Sequence, residues 1–297
     1  MYNPQLETFI VVAEVGSFNK AAEKLFISPP AVIKQINALE RDLDVQLFRR
    51  THRGLILTAA GHSMLQDARY VIQYCKDSVT RAKNAMQETE QVIRIGTSPM
   101  TPAQVLVGIF PKLQTFCPNL KFQLVPFDNT PENAREILAN LGQNIDVVPG
   151  IFDATMLNLR QCAGTVMSHV PICVAVSVHH PLAAQERLDI QDLYGQRLML
   201  MRRGWSLYVD MLRDDLWKNH PEIEIVDFDF YDTAAFNQCE NAGCALMAVE
   251  NWRYVHPLLK ILPVNWDYTI PFGILHAPEP TPVVQQFLQA VQQVLKN

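Results

Sequence analysis

Ser17-Phe18-Asn19-Lys20-Ala21-Ala22-Glu23-Lys24-Leu25, followed after Phe26-Ile27 by Ser28-Pro29-Pro30-Ala31-Val32-Ile33-Lys34-Gln35-Ile36, is the stretch whose reading decides the fold. Ser17 offers a side-chain oxygen to the first turn of a helix that keeps Ala21, Ala22 and Leu25 inside. Ser28 does the same for a second helix, and Pro29, with its φ already set, suits the first turn. Val32, Ile36, Leu39 and Leu43 then make one apolar stripe, and Ala31, Lys34, Gln35 and Ala38 face the other way. Upstream, Leu6, Phe9, Ile10 and Ala13 recur at helical spacing until Gly16 breaks the run.

Working outward, the small pair Ala21-Ala22 lets two helices approach closely, and the next helix carries short or amide side chains outward, as insertion into a major groove requires. Val45-Gln46-Leu47-Phe48 leads into Arg49-Arg50-Thr51-His52-Arg53-Gly54 and then Leu55-Ile56-Leu57, a two-stranded wing with arginines placed to straddle phosphates. The pattern is that of a winged helix-turn-helix. The net charge of -5 looks hostile to nucleic acid until it is divided along the chain. Residues 1 to 60 are net +1, residues 61 to 90 are neutral and the remainder is net -6. From Val45 to Gln66 there is no acidic residue, which leaves a local basic patch of the kind that meets phosphate.

Taken in order, Ser17 to Leu25, Ile27 to Val32, Gln35-Ile36 with Leu39-Glu40, Leu47-Phe48-Arg49-Arg50 and Leu57-Thr58-Ala59-Ala60-Gly61 resemble the amino-terminal signature of LysR-type transcriptional regulators. Each piece is weak alone and the ordered set is highly specific. The resemblance continues more loosely through Ile93-Arg94-Ile95-Gly96, Asp146-Val147-Val148 and His180-Pro181-Leu182-Ala183. It implies DNA contacts from Ser28, Pro29, Pro30, Ala31, Ile33, Lys34, Gln35, Arg49, Arg50 and Arg53, with phosphates held by the serine and the basic residues and base edges faced by Ala31, Gln35 and Ile33. Family members commonly have Gln at the place of Pro29 and Ser at that of Ile33. Pro29 lacks a backbone donor, and Ile33 suits either a thymine methyl or a neighbouring helix. Asp44 stands where a Gly is usual and suggests an altered turn.

Leu65, Ala68, Ile72, Cys75, Val79, Ala82 and Met86 fall at alternating steps of three and four, a heptad seam on a helix that no Gly or Pro interrupts after Gly61. The stripe fits a partner helix in a second copy or a core within the chain; the resemblance implies a dimerising linker. From Val92 onward short apolar runs alternate with amphipathic stretches, which predicts a mostly parallel sheet with helices on both faces. Strands are expected at 92–97, 120–127, 145–151, 170–178, 197–201, 223–230, 245–249 and 270–276, with helices at 101–117, 131–143, 206–219, 233–241 and 281–295. The resemblance turns this into an α/β, two-lobed, periplasmic-binding-protein-like effector domain. The expected division is 1–60 winged domain, 61–90 linker helix and 91–297 effector domain, with lobe I from 91–160 and 266–297 and lobe II from 161–265.

In such sheets ligands sit beyond the carboxyl ends of strands. Thr97, Ser98, Met100 and Thr101 occupy the first such loop, and its hydroxyls with the following helix N–H groups suit a carboxylate. Arg202 and Arg203 stand at the equivalent place opposite, and Asp128, Phe152 and Thr233 complete the loops around the expected cleft. Asp128 disfavours a purely anionic ligand and leaves an amino acid or an amine-bearing aromatic open.

At 297 residues, 48% of them apolar, the chain supports two or three domains with real cores. Its longest apolar stretch, Val170 to Val178, is about half of a membrane span, and its first residues lack the features of a signal peptide, so a cytoplasmic protein without membrane contact is expected. The six cysteines form no C-x-x-C pair and read as reduced, mostly buried thiols, with Cys239 and Cys244 close enough in sequence to be weighed as a redox couple. There is no G-x-S-x-G, no phosphate-cradling glycine loop and no H-E-x-x-H. No metal, cofactor or enzymatic activity is expected; an α/β enzyme fused to a DNA-binding domain and a ligand-independent DNA-binding protein are the alternatives. The partners that the resemblance implies are double-stranded DNA, a small-molecule effector bearing a carboxylate, further copies of the chain in a homodimer or homotetramer, and RNA polymerase.

Overall fold

The computed structural model describes residues 2–51, 54–86 and 91–296, and the chain divides into two compact units, Met1–Glu88 and Thr89–Asn297. The first unit opens with α1 (Gln5–Val15), α2 (Phe18–Leu25) and α3 (Pro29–Leu43). Gly16 ends α1 in the left-handed conformation at φ 64°, and the serines cap as their positions predict: Ser17 accepts from the Lys20 N–H and Ser28 from that of Ala31. Phe9, Val12, Ala21, Ala22, Val32, Ile36 and Leu39 are sealed from water between the three helices. Leu43, expected on the buried stripe, is 40% exposed at the last position of α3.

Asp44 does not alter the turn after α3. It adopts φ 53°, the left-handed conformation a Gly would take, and the closure is intact: its N–H donates to Arg41 O and that of Val45 to Glu40 O. Aspartate is among the residues that tolerate this region. Glu40 then accepts hydrogen bonds from the Leu47 and Phe48 N–H groups at 2.7 and 3.0 Å, which fixes the start of the wing, β1 (Phe48–Thr51) paired antiparallel with β2 (Gly54–Leu57). The long helix α4 (Ala59–Met86) follows, and a Cβ at Gly61 would strike the Leu47 carbonyl, so only glycine lets α4 leave the wing this closely. Leu65, Ala68 and Ile72 pack into the unit's own core, whereas Val79 and Ala82 are exposed and Cys75 is half-buried. The heptad seam is thus divided: its first half serves the chain itself.

The second unit is built on β3 (Gln91–Thr97), α5 (Gln104–Phe116), β4 (Leu120–Pro126), α6 (Pro131–Ala139), β5 (Val147–Ile151), α7 (Ala154–Arg160), β6 (Ala163–Ser177), β7 (Arg197–Met201), α8 (Leu207–Asn219), β8 (Glu224–Phe228), α9 (Thr233–Ala242), β9 (Ala245–Val249), β10 (Leu259–Pro263), β11 (Thr269–His276) and α10 (Pro282–Lys296). Its nine strands run β4-β3-β5-β11-β6-β9-β7-β8, with β10 on β6. The expectation of a mostly parallel sheet needs correction. β3 is parallel to β4 and β5, and β7 to β8 and β9, but β11 is antiparallel to β5 and β6, and β6 antiparallel to β9 and β10. Each lobe has a three-stranded parallel group, and β6 and β11 pass between the two. Their register shifts at Phe272/Gly273, where a Cβ on Gly273 would run into the Thr165 carbonyl. Glycine is the residue that permits this crossing.

Strand β10, helix α7 and the first half of β6 were not expected from the sequence. The two short elements have five and seven residues, too few to show a period, and Ala163 to His169 is half-polar because it lies on an incompletely covered face. The core of lobe I holds Ile93, Ile95, Leu106, Leu113, Phe287 and Val291. The larger cluster of lobe II reaches across to take in Met100, Ile151 and Met156 from lobe I.

Candidate nucleic-acid interface and effector cleft

The amino-terminal unit turns one face of α3 outward. Pro30, Ile33, Lys34, Asn37, Ala38 and Arg41, at offsets of 3, 4, 7, 8 and 11 from the first, share one helical face and line an open groove of about 430 Å³. Ile33 lies outside the buried cluster of the unit, so of its two expected placements the structure gives the outward one. Gln35 points the other way from what its sequence position suggests: the hydroxyl of buried Thr8 in α1 donates to its carbonyl oxygen, which ties α3 to α1. Asn37 and Arg41 join the outward face, and Ala31 is half-buried at the start of the helix; the three-and-four spacing from Pro30 carried that signal. Ser28 is occupied as the cap of α3: Pro29 and Pro30, which carry no N–H, fill the first turn, and the Ala31 and Val32 N–H groups both donate to Ser28 O.

Arg49 and Arg50 are exposed on β1, and the Arg50 guanidinium rests 5.6 Å from the centroid of the Phe18 ring, which orients it at the start of α2. Arg53 and the side chain of Met86 lie outside the described residues. Glu14 gathers the helices behind this face: Lys24 donates to it at 2.9 Å and Arg69 at 3.2 Å, and these bonds, chiefly that of Lys24, hold its carboxyl below the usual range.

In the second unit the carboxyl ends of the two parallel strand groups face each other, and three polar ties join their loops in pairs. Trp252, after β9, donates its indole N–H to Met100 O, after β3, at 2.9 Å. Asn129, after β4, donates to Tyr231 O, after β8, at 2.6 Å. Asp153, after β5, accepts from the Ser206 hydroxyl at 2.7 Å and the Leu207 N–H at 2.8 Å, after β7. The same carboxylate caps α7 through the Met156 N–H at 2.9 Å. Sequence reasoning missed Asp153, Tyr231 and Trp252. The aspartate was legible as a cap; that its second oxygen reaches another lobe was not.

These ties redistribute the residues expected around the cleft. Ser98 and Thr101 share a hydrogen bond of 2.7 Å, Thr97 is half-buried, and Asp128 and Thr233 are exposed on the loops after β4 and β8. Met100 is buried in the lobe II cluster and offers only its carbonyl. Phe152 does not line the cleft: it is 3% exposed in the lobe I core, with its ring over Gly164. Neither arginine is held ready for an acidic ligand, since Arg202 pairs with Asp229 at 3.0 Å and Arg203 turns onto Asp214 of α8. Beside the ties Tyr231 stands at the centre of an aromatic group, 4.7 Å from the rings of Phe228 and Trp252 and 5.5 Å from that of Trp205. Burial drives the Tyr231 phenol well above its ordinary pKa, and its hydroxyl donates to Met247 O at 2.8 Å.

All six cysteines are free. Cys239 donates to the carbonyl of Cys244 at 3.1 Å, and burial pushes its thiol up to about 12, the opposite of an activated thiolate. Among the described residues no group of three His, Cys, Asp or Glu could hold a metal ion, and no helix is long and apolar enough to cross a membrane.

Residues 4–62 match the bacterial regulatory helix-turn-helix protein, lysR family, and residues 86–296 match the LysR substrate binding domain. The chain belongs to the LysR family. Among curated LysR-type relatives it is 28% identical over 218 residues to the uncharacterized HTH-type transcriptional regulator YbhD of Escherichia coli K12, covering 72% of this chain and 66% of that one. It is 36% identical over 148 residues to the HTH-type transcriptional regulator ClcR of Pseudomonas putida, covering 50% and 49%. The matched part of the chain thus spans about two thirds of the first relative and half of the second. The LysR family transcriptional regulator CbnR has the same fold, with a TM-score of 0.66 at 22% identity over 100% of both chains. Its full-length complex with target DNA gives 0.61 at 21% identity, covering 99% of this chain and 100% of that one.

Proposed function

We propose that this chain is a DNA-binding transcription regulator whose α3 enters the major groove while the β1–β2 wing holds phosphates, under control of a small molecule bound between the two lobes. The observation that carries this reading is the outward face of α3, continuous with a segment from Lys24 to Leu39 that has no acidic residue. Ser28, Lys34, Arg49, Arg50 and Arg53 hold the backbone, and Pro30, Ala31, Ile33 and Asn37 stand toward base edges; Pro29 and Gln35 shape the helix that presents them. Binding to the duplex upstream of the chain's own gene, compared with an unrelated duplex across salt concentrations, tests it. Specific binding should weaken with a log–log slope of about -0.9 per neutralised phosphate. Equal, weak binding of both duplexes at every salt would remove the reading. Ile33→Ser is expected to change the ranking of preferred sequences in a selection from random duplexes, with little change in stability, because Ile33 lies outside the core.

The effector reading is supported by the closed loops. Of the two helix starts that could take a carboxylate, that of α8 already has Asp153 upon it, whereas α5 begins at Gln104 with Ala103 before it and no side-chain cap. A carboxylate on Ser98, Thr101 and the start of α5, with an amine toward Asp128 and an aromatic body toward Trp205, is the ligand chemistry this favours. The homologues are regulators, and the burial that raises the Cys239 thiol gives a peroxide-sensing pair with Cys244 no support. A metabolite screen by thermal shift on the whole chain tests the cleft.

Cys75, Val79 and Ala82, the half of the seam that the chain's own core does not use, are assigned to a second copy, and a tetramer would pair two such dimers. Val79→Glu places a charge on this stripe and is expected to lower the mass seen in sedimentation at micromolar concentration from the oligomer toward the monomer. An unchanged mass would move dimerisation elsewhere. Cytoplasmic location and contact with RNA polymerase belong to the same proposal.

A further inference from the structure

Phe26, in the turn between α2 and α3, exposes 95% of its surface. It also sits in the left-handed backbone region at φ 56° and ψ 39°. The turn is a six-to-one closure: the Ile27 N–H donates to Ala22 O, and the Phe26 N–H to Glu23 O. Such a closure favours Gly or Asn at the left-handed position, because a Cβ there crowds the following carbonyl. The other non-glycine residues with positive φ among the described residues, Asp44 and Gln161, are polar. Phe26 therefore combines a steric cost with an apolar ring left wholly in water, and no core cluster among the described residues takes it in.

The surroundings indicate what covers it. Ile27, Pro30 and Ile33 continue an apolar strip from Phe26 onto the outward face of α3, through a segment whose only charges are the basic Lys24 and Lys34. In helix-turn-helix docking the amino-terminal residues of the second helix meet base edges, and this turn immediately precedes them. We infer that Phe26 is a DNA-contacting residue, its ring lying against thymine methyls and deoxyribose at the edge of the groove that α3 enters. This rests on the DNA-binding reading above and adds an apolar determinant to it.

The test uses the full chain, Phe26→Asn and Phe26→Leu, with the duplex upstream of the gene amplified with either dTTP or dUTP. The two duplexes differ only in the C5 methyl of thymine. One methyl group buried is worth about fourfold in affinity, so the wild-type chain is expected to prefer the thymine duplex by at least about that factor. Phe26→Asn should bind about tenfold more weakly, with a smaller thymine preference, yet melt no earlier than wild type, since Asn tolerates the left-handed turn. Phe26→Leu, still apolar, should keep most of the preference. Unchanged affinity and preference in Phe26→Asn would overturn the inference, and unchanged binding with lost promoter activation would do so by pointing to a protein partner. A lowered melting temperature would also overturn it, by showing that the ring packs within the chain. Failure of the wild-type chain to bind either duplex would instead remove the DNA-binding reading itself, and this inference with it.

Discussion

Arg94→Met is expected to destabilise the effector domain by about 3–5 kcal/mol, the usual cost of leaving a buried carboxylate without its partner. Asp146 is 5% exposed, and Arg94 holds it through Nε at 3.0 Å, through the second guanidinium nitrogen at 2.6 Å and through its own backbone N–H at 2.8 Å. The same guanidinium also donates to the carbonyl of Gln143, so it closes the loop before β5 onto β3. Only the backbone bond survives in the variant. Urea unfolding followed by tryptophan fluorescence reads the cost, since the tryptophans lie in this unit. Replacing Asp146 as well, by Leu, should recover a large part of the loss, because the pair's net value is far smaller than the penalty for orphaning one member. Single and double variants of equal stability would show that the carboxylate finds water or another donor.

Asp153→Ala should cost a similar ~3–5 kcal/mol and, in addition, loosen one of the three ties between the lobes. Three donors lose their acceptor: the Met156 N–H in α7, the Ser206 hydroxyl and the Leu207 N–H at the start of α8. Ser206 is fully buried, and an unsatisfied buried polar group costs about 1–3 kcal/mol. Loss of the α7 cap adds about 1 kcal/mol. Asp153→Asn should be nearly as severe at α8, because its amide nitrogen would face the Leu207 N–H, while Ser206→Ala removes one bond and is expected to cost about 1 kcal/mol. Hydrogen exchange distinguishes clasp from cap: the first turn of α8 should lose protection together with α7. If α7 alone loosens, Asp153 is only a local cap.

Much of the amino-terminal unit was legible because its signals are local. A serine cap, a proline in the first turn and a three-and-four apolar spacing each act within a few residues, and so Ser17, Ser28, Val32, Ile36 and Leu39 stand where their neighbours imply. Less legible is any residue whose surroundings are set by something distant in sequence. Gln35 has the right chemistry for a base edge, but Thr8 claims its carbonyl. Arg202 and Arg203 have the right chemistry for a carboxylate, but Asp229 and Asp214 claim them. Phe152 sits beyond a strand end, as a cleft residue would, yet Gly164 leaves room for its ring in the core.

The sequence by itself determined the winged helix-turn-helix, the uninterrupted long helix α4 and the α/β character of the remainder, since helix and strand periods and caps are properties of short segments. Only the tertiary structure decided that half of the heptad seam is spent inside its own unit, that β6 and β11 cross antiparallel between two parallel strand groups, and that Arg94 meets Asp146. It also decided that a carboxylate from one lobe closes the helix start of the other. Residues more than fifty positions apart, such as Asp153 and Ser206, carry no pattern that relates them. Their pairing follows from chain crossing and exclusion of water, which exist only once the sheet is assembled.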